Sequence, residues 1–113
     1  MKFEVIPTPD FEKSLKALLK RHKSLKQDIA EFEKSLVSNP FQGDELSPGI
    51  RKIRMAISSK GRGKSGGARI ITFTLLLDEE GGEVYLIDIY DKSDYSTVDV
   101  RRIKKLLEES GLI

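Results

Sequence analysis

Residues 60–69 read Lys-Gly-Arg-Gly-Lys-Ser-Gly-Gly-Ala-Arg and hold the densest reactive chemistry in the chain. Lys60, Arg62, Lys64 and Arg69 alternate with Gly61, Gly63, Gly66 and Gly67. Glycine admits positive φ and lets another backbone come close, so cations set among glycines make an anion-seeking loop. The basic character continues backwards through Lys52 and Arg54. Residues 50–77 carry seven Lys/Arg and no Asp or Glu, residues 1–49 balance at eight against eight, and residues 78–113 carry five against ten. The formal charge of +2 is therefore a dipole of charge rather than a uniform excess. A concentrated basic patch points to phosphate, above all to nucleic acid.

Transfer at a phosphate without a metal needs a base for the attacking hydroxyl, cations for the charge on the phosphorane, and an acid for the leaving oxygen. Arginine suits the charge-stabilising part because it stays protonated and offers two donors to phosphate. A lysine can act as base where neighbouring cations depress its pKa. The residue types alone leave open which lysine that is. Arg69 opens an otherwise apolar run, where a charge is costly without a partner or a task. The plain alternative is a hairpin connection kept soluble by its charges; the cations on both flanking runs count against it. Gly61-Arg62-Gly63-Lys64-Ser65 also looks like the tail of a P-loop. That motif needs glycine at position 58, which is Ser58, and a helix directly afterwards, where an apolar β-like run follows. The single histidine, His22, reads as a solvated loop residue.

The elements that must position this loop follow from periodicity. Residues 2–6 alternate as a short strand. Thr8 as N-cap and Pro9 at the first helical position start a helix carrying Phe11, Leu15, Leu18 and Leu19 on one stripe to about residue 21. Leu25, Ile29, Phe32 and Leu36 mark a second helix, stopped before Pro40. Lys13, Lys16, Lys20, Lys23, Lys26 and Lys34 form the solvated side of this helical hairpin. Residues 41–49 read as a loop. Residues 50–58 alternate, with Ile53, Met55 and Ile57 on one face and Lys52, Arg54 and Ala56 on the other. Residues 68–77 form the longest apolar run and predict a central strand, and residues 83–90 return as another. A final helix is expected over 97–109, ahead of Gly111.

At 113 residues, 38% hydrophobic and 34% charged, the chain fits one soluble α+β domain over 1–113. No apolar run approaches the roughly 18–20 residues of a membrane span, and the N-terminus lacks a signal-peptide core. The cytoplasm is the expected compartment. With no cysteine and one histidine, neither a disulfide nor a metal site is expected, and no cofactor is called for.

The order β-α-α-β-β-β-α, with Lys64-Ser65-Gly66-Gly67-Ala68-Arg69-Ile70-Ile71 and Ile87-Asp88-Ile89-Tyr90-Asp91-Lys92-Ser93, resembles the RelE/ParE superfamily of bacterial toxins, most of all its HigB-like branch. The resemblance covers nearly the whole chain. It implies a small twisted, largely antiparallel four-stranded sheet, with the helical hairpin on one face, a concave basic face opposite and a C-terminal helix. It further implies a ribosome-dependent, metal-independent mRNA endonuclease restrained by a cognate antitoxin. Carried over by position, Arg69 matches the strand arginine that contacts the scissile phosphate. Lys60, Arg62 and Lys64 match the basic hairpin segment, while Lys92 and Tyr95 fall where a late arginine and tyrosine stand in other members. The expected catalytic set is Arg69, Lys64, Lys60, Lys92 and Tyr95, with Lys52, Arg54 and Arg62 on RNA. Two further readings share the resemblance: a ParE-like poison of DNA gyrase without RNase activity, and an inactive relative that binds RNA or antitoxin.

Overall fold

Thr8 begins the first helix as its composition predicts: its hydroxyl accepts the Phe11 amide at 3.2 Å, and Pro9 fills the first turn where no donor is needed. The computed structural model describes residues 2–95 and 97–113. Strand β1 (Lys2–Pro7) leads into α1 (Pro9–Leu19) and α2 (Leu25–Ser38), followed by β2 (Asp44–Ser47) and β3 (Ile50–Met55). A 3-10 turn (Ser58–Lys60) opens the glycine-rich loop; β4 (Ala68–Asp78), β5 (Gly81–Asp91) and α3 (Val100–Glu109) complete the chain.

The sheet has five strands in the order β1-β5-β4-β3-β2. β1 pairs with β5 in parallel, and every other pairing is antiparallel. This corrects the four-stranded expectation. Residues 41–49 were expected as loop, but Asp44–Ser47 folds back on β3 as an edge strand. Four polar-rich residues carry too little alternation to announce a strand; pairing made across the Pro48-Gly49 turn creates it. The last helix also starts later than residue 97. Asp99 caps it, accepting the amides of Arg101 and Arg102 at 3.0 and 3.4 Å.

The two sheet faces are covered differently. Phe11 and Leu18 of α1 and Leu25, Ile29, Phe32 and Leu36 of α2 bury against Ile53, Met55, Ile70 and Val84. All six hairpin lysines named above stay exposed. On the other face, Ile103 and Leu107 of α3 pack on Ile71, Phe73 and Ile87. The face expected to be an open basic concavity is therefore partly roofed by α3. Its uncovered part is the end where β3, β4 and β5 meet the loop. Among the described residues no helix is long and apolar enough to cross a membrane.

Candidate nucleic-acid interface

Strand register builds the site. Arg69 of β4 lies directly across from Arg54 of β3 on one side and Tyr90 of β5 on the other. Lys52 is two residues along on the same face, opposite Ile71. Two arginines directly opposed repel one another, and no carboxylate stands within ion-pair distance of either among the described residues. Burial first, and then the Arg54 charge, pull the Arg69 guanidinium below its ordinary pKa, while Tyr90 offsets part of this. Arginine nevertheless remains charged. The row is short of negative charge and gains from an anion.

Arg69 is not free, however. It is 5% exposed; Nη1 donates to the carbonyls of Lys64 at 2.9 Å and Ala68 at 3.2 Å, and Nη2 donates to that of Ser65 at 3.1 Å. Its side chain thus folds the loop down over the end of the sheet. Gly67 serves the same closure. A Cβ there would lie 2.1 Å from the Met55 carbonyl, so the room beside Gly67 belongs to β3.

Two buried carboxylates pin the start of the loop, and a backbone bond holds its end. Asp28 of α2 accepts the Ser58 amide at 3.0 Å, the Ser58 hydroxyl at 2.6 Å and the Ser24 hydroxyl at 2.7 Å. Burial pushes its pKa up, but those hydrogen bonds prevail and the net direction is down. Asp91, 1% exposed, accepts Lys60 Nζ at 2.8 Å, His22 Nε2 lies 2.9 Å from it, and the Ser93 amide bonds it at 2.9 Å. Here too burial opposes ionisation and is overcome, chiefly by Lys60 and Ser93, so the carboxyl sits far below the usual range. The Lys92 amide then donates to the Gly67 carbonyl at 3.0 Å.

The candidate residues therefore separate. Arg54, Arg69 and Tyr90 form one row, and Tyr95 extends it: its ring, 62% exposed, meets Tyr90 edge-to-face at 5.7 Å. Arg62, Lys64 and Lys92 are exposed around the loop, with no ion pair among the described residues. Lys60 turns away to Asp91, so its ammonium anchors the loop. His22, expected in solvent, is only 12% exposed at its side chain and bonds the same carboxylate. The sequence reading missed Tyr90, Asp91, Asp28 and His22 as parts of the site. Only Tyr90 and Asp91 left a trace there, in the string Tyr90-Asp91-Lys92-Ser93, whose partners depend on register. Burial, then Asp88, raises the Tyr90 phenol above its ordinary pKa despite Arg69, so its hydroxyl keeps its proton.

No family model matches the sequence. The chain is similar in structure to the E. coli toxin RelE, solved as a double arginine-to-alanine mutant in the free state. The TM-score is 0.52 at 16% identity, over 85% of this chain and 90% of that one. That likeness, on top of the mixed sheet between a helical hairpin and a C-terminal helix, establishes a RelE-like fold.

Proposed function

We propose that the chain is the toxin of a toxin–antitoxin pair, a HigB-like, metal-independent endoribonuclease that cuts mRNA on the ribosome in the cytoplasm. The observation that carries this reading is the Arg54–Arg69–Tyr90 row, whose arginines have no ion-pair partner among the described residues and which the exposed Tyr95 flanks. A phosphodiester placed on Arg54 and Arg69 supplies the missing anion. Tyr95 offers a stacking surface for a splayed base, as single-stranded RNA requires. Lys64 or Lys92, both exposed beside the loop, takes the 2′-OH proton as its neutral amine, having first released its own proton to solvent. The 2′-oxygen then attacks phosphorus, the two arginines hold the phosphorane charge, and the P–O5′ bond breaks. Tyr90, held protonated, donates to the departing 5′-oxygen. The products are a 2′,3′-cyclic phosphate and a 5′-hydroxyl. Lys52 and Arg62 contact flanking phosphates, Lys60 fixes the loop through Asp91, and a cognate antitoxin restrains the protein by covering the row.

The three carbonyl bonds of Arg69 favour one other reading. In it the guanidinium is only a brace for the loop, and the protein binds RNA or antitoxin without cutting. One experiment separates the two: purified protein with ribosomes programmed by a defined mRNA, and mapping of the new 5′ ends. Discrete cuts bearing 5′-hydroxyls, lost in Arg54→Ala, are the expected result. Intact mRNA under folded, ribosome-bound protein would leave the binding reading.

A further inference from the structure

At the opposite end of β4 from the basic row, the strand outruns its neighbour. β3 reaches only Phe73, through Ile50, and one more bond joins the Thr74 amide to the Gly49 carbonyl at 2.9 Å. β4 continues to Asp78, paired on its β5 side alone. Backbone groups alternate sides along a strand. Because the Thr74 amide faces Gly49, the Leu76 amide and carbonyl face the same way, past the end of β3. An unpaired edge of this kind is a template for another strand. It is also apolar: Leu76 is 56% and Leu77 62% exposed, although large hydrophobic side chains are ordinarily covered. Beside Leu76 lies a concavity of about 200 Å³ between Phe41, Gly49 and Thr74, with the Glu45–Arg51 ion pair, 3.9 Å apart, on its wall.

Charge decides the occupant. No Lys or Arg occurs between Arg69 and Lys92, and Asp78, Glu79, Glu80 and Glu83 at this hairpin tip outnumber Lys2, which pairs there with Gly81. Two copies paired edge to edge here would oppose like charges. We propose that residues 74–78 are a strand-addition site for an extended segment of a partner protein that alternates apolar and cationic residues. An apolar side chain enters the concavity beside Phe41, main-chain bonds form at Leu76, and lysines or arginines face the acidic tip. This is β-augmentation, in which backbone bonds give affinity and alternate side chains give selectivity. The site is remote from the basic row and stands whether or not the protein cuts RNA.

The test is titration of isotope-labelled protein with a short peptide of alternating lysine and valine, beside a control with glutamate for lysine. Saturable, salt-weakened binding of the lysine peptide alone is expected, with the shifts centred on residues 74–78 and slowed exchange of the Leu76 amide. Leu76→Pro removes the free-edge donor while leaving the β5 ladder intact, and should weaken binding about tenfold. Should that variant not fold, the exposed-turn variant Glu79→Lys/Glu80→Lys decides by the same loss. Shifts mapping elsewhere, equal binding of both peptides, or unchanged affinity in the variants would overturn the proposal. So would dimerisation through this edge, which would make a second copy the occupant.

Discussion

Arg69 holds two offices at once: it braces the loop through three carbonyls and lends charge to a row whose arginines have no ion-pair partner among the described residues. Those offices can be separated by substitution. Arg54 shares the row but is exposed, so Arg54→Ala should lower cleavage about 10²-fold, the scale for losing one preorganised charge-stabilising donor. Its melting temperature should stay unchanged. Arg69→Ala should lower both, costing about 1–3 kcal/mol of stability because the Ala68 carbonyl, which is buried, and those of Lys64 and Ser65 lose their donor. Arg69→Lys cannot restore the forked contact. Turnover assays paired with thermal melts check both variants. Asp91 gives a pH test. Its pKa is depressed in the fold, so its contribution is fully present above the ordinary carboxylate pKa of about 3.9 and is lost as pH falls below that toward the folded value. Asp91→Asn should destabilise by about 3 kcal/mol at neutral pH, where Lys60 and His22 lose their buried partner. It should also flatten the acid limb of the stability curve. A variant with the wild-type acid limb would place that titration on another carboxylate.

At the level of elements, the glycine-rich loop behaves as part of the sheet. Asp28 ties its start to α2, Asp91 ties it to β5, and Arg69 folds its middle down. Gly61, with φ +67°, ends the 3-10 turn in the left-handed region that side chains resist. Gly67 instead yields space. Gly67→Ala drives a methyl into the Met55 carbonyl and should cost about 1–3 kcal/mol, read from denaturant unfolding. Cleavage should fall along with it, since β3 carries Arg54. Helix α3 depends on its cap and its anchors. Asp99→Ala leaves the Arg101 and Arg102 amides without an acceptor and should cost about 1 kcal/mol. A larger fall in stability would mean that Asp99 supports more than the helix start.

Across the whole molecule, the sheet carries a gradient of charge. One end presents Arg54, Arg62, Lys64 and Lys92; the other presents Asp78, Glu79 and Glu80 with two exposed leucines. Such a field orients the molecule on a polyanion before any contact forms. Binding to single-stranded RNA should therefore weaken linearly in log–log salt, by about 0.7 for each phosphate neutralised. Arg62→Gln, on the exposed loop, should remove about one such increment while leaving the fold intact. Filter binding over a salt series measures the slope. An unchanged slope would take Arg62 off the phosphate path.

The sequence alone determined the helices, the inner strands and the site's polarity, because each is written in local terms. The 3.6-residue stripe of Phe11 and Leu18 allows one buried face, and alternation from Lys52 to Ile57 separates basic from apolar before any partner is known. The composition of residues 50–77 likewise set the positive charge of this part of the sheet. What only the tertiary structure decided is pairing. Lys60 and Lys64 are equivalent in sequence, yet one is consumed by Asp91 and the other is exposed. Tyr90 acquires its place beside Arg69 from the β4–β5 register, and β2 exists only because β3 offers it an edge. His22 leaves solvent because a carboxylate 69 residues away stands in reach. Local pattern chooses which face of an element is buried. Which distant group meets a given charge depends on chain crossing and strand register, and no single stretch of sequence contains that information.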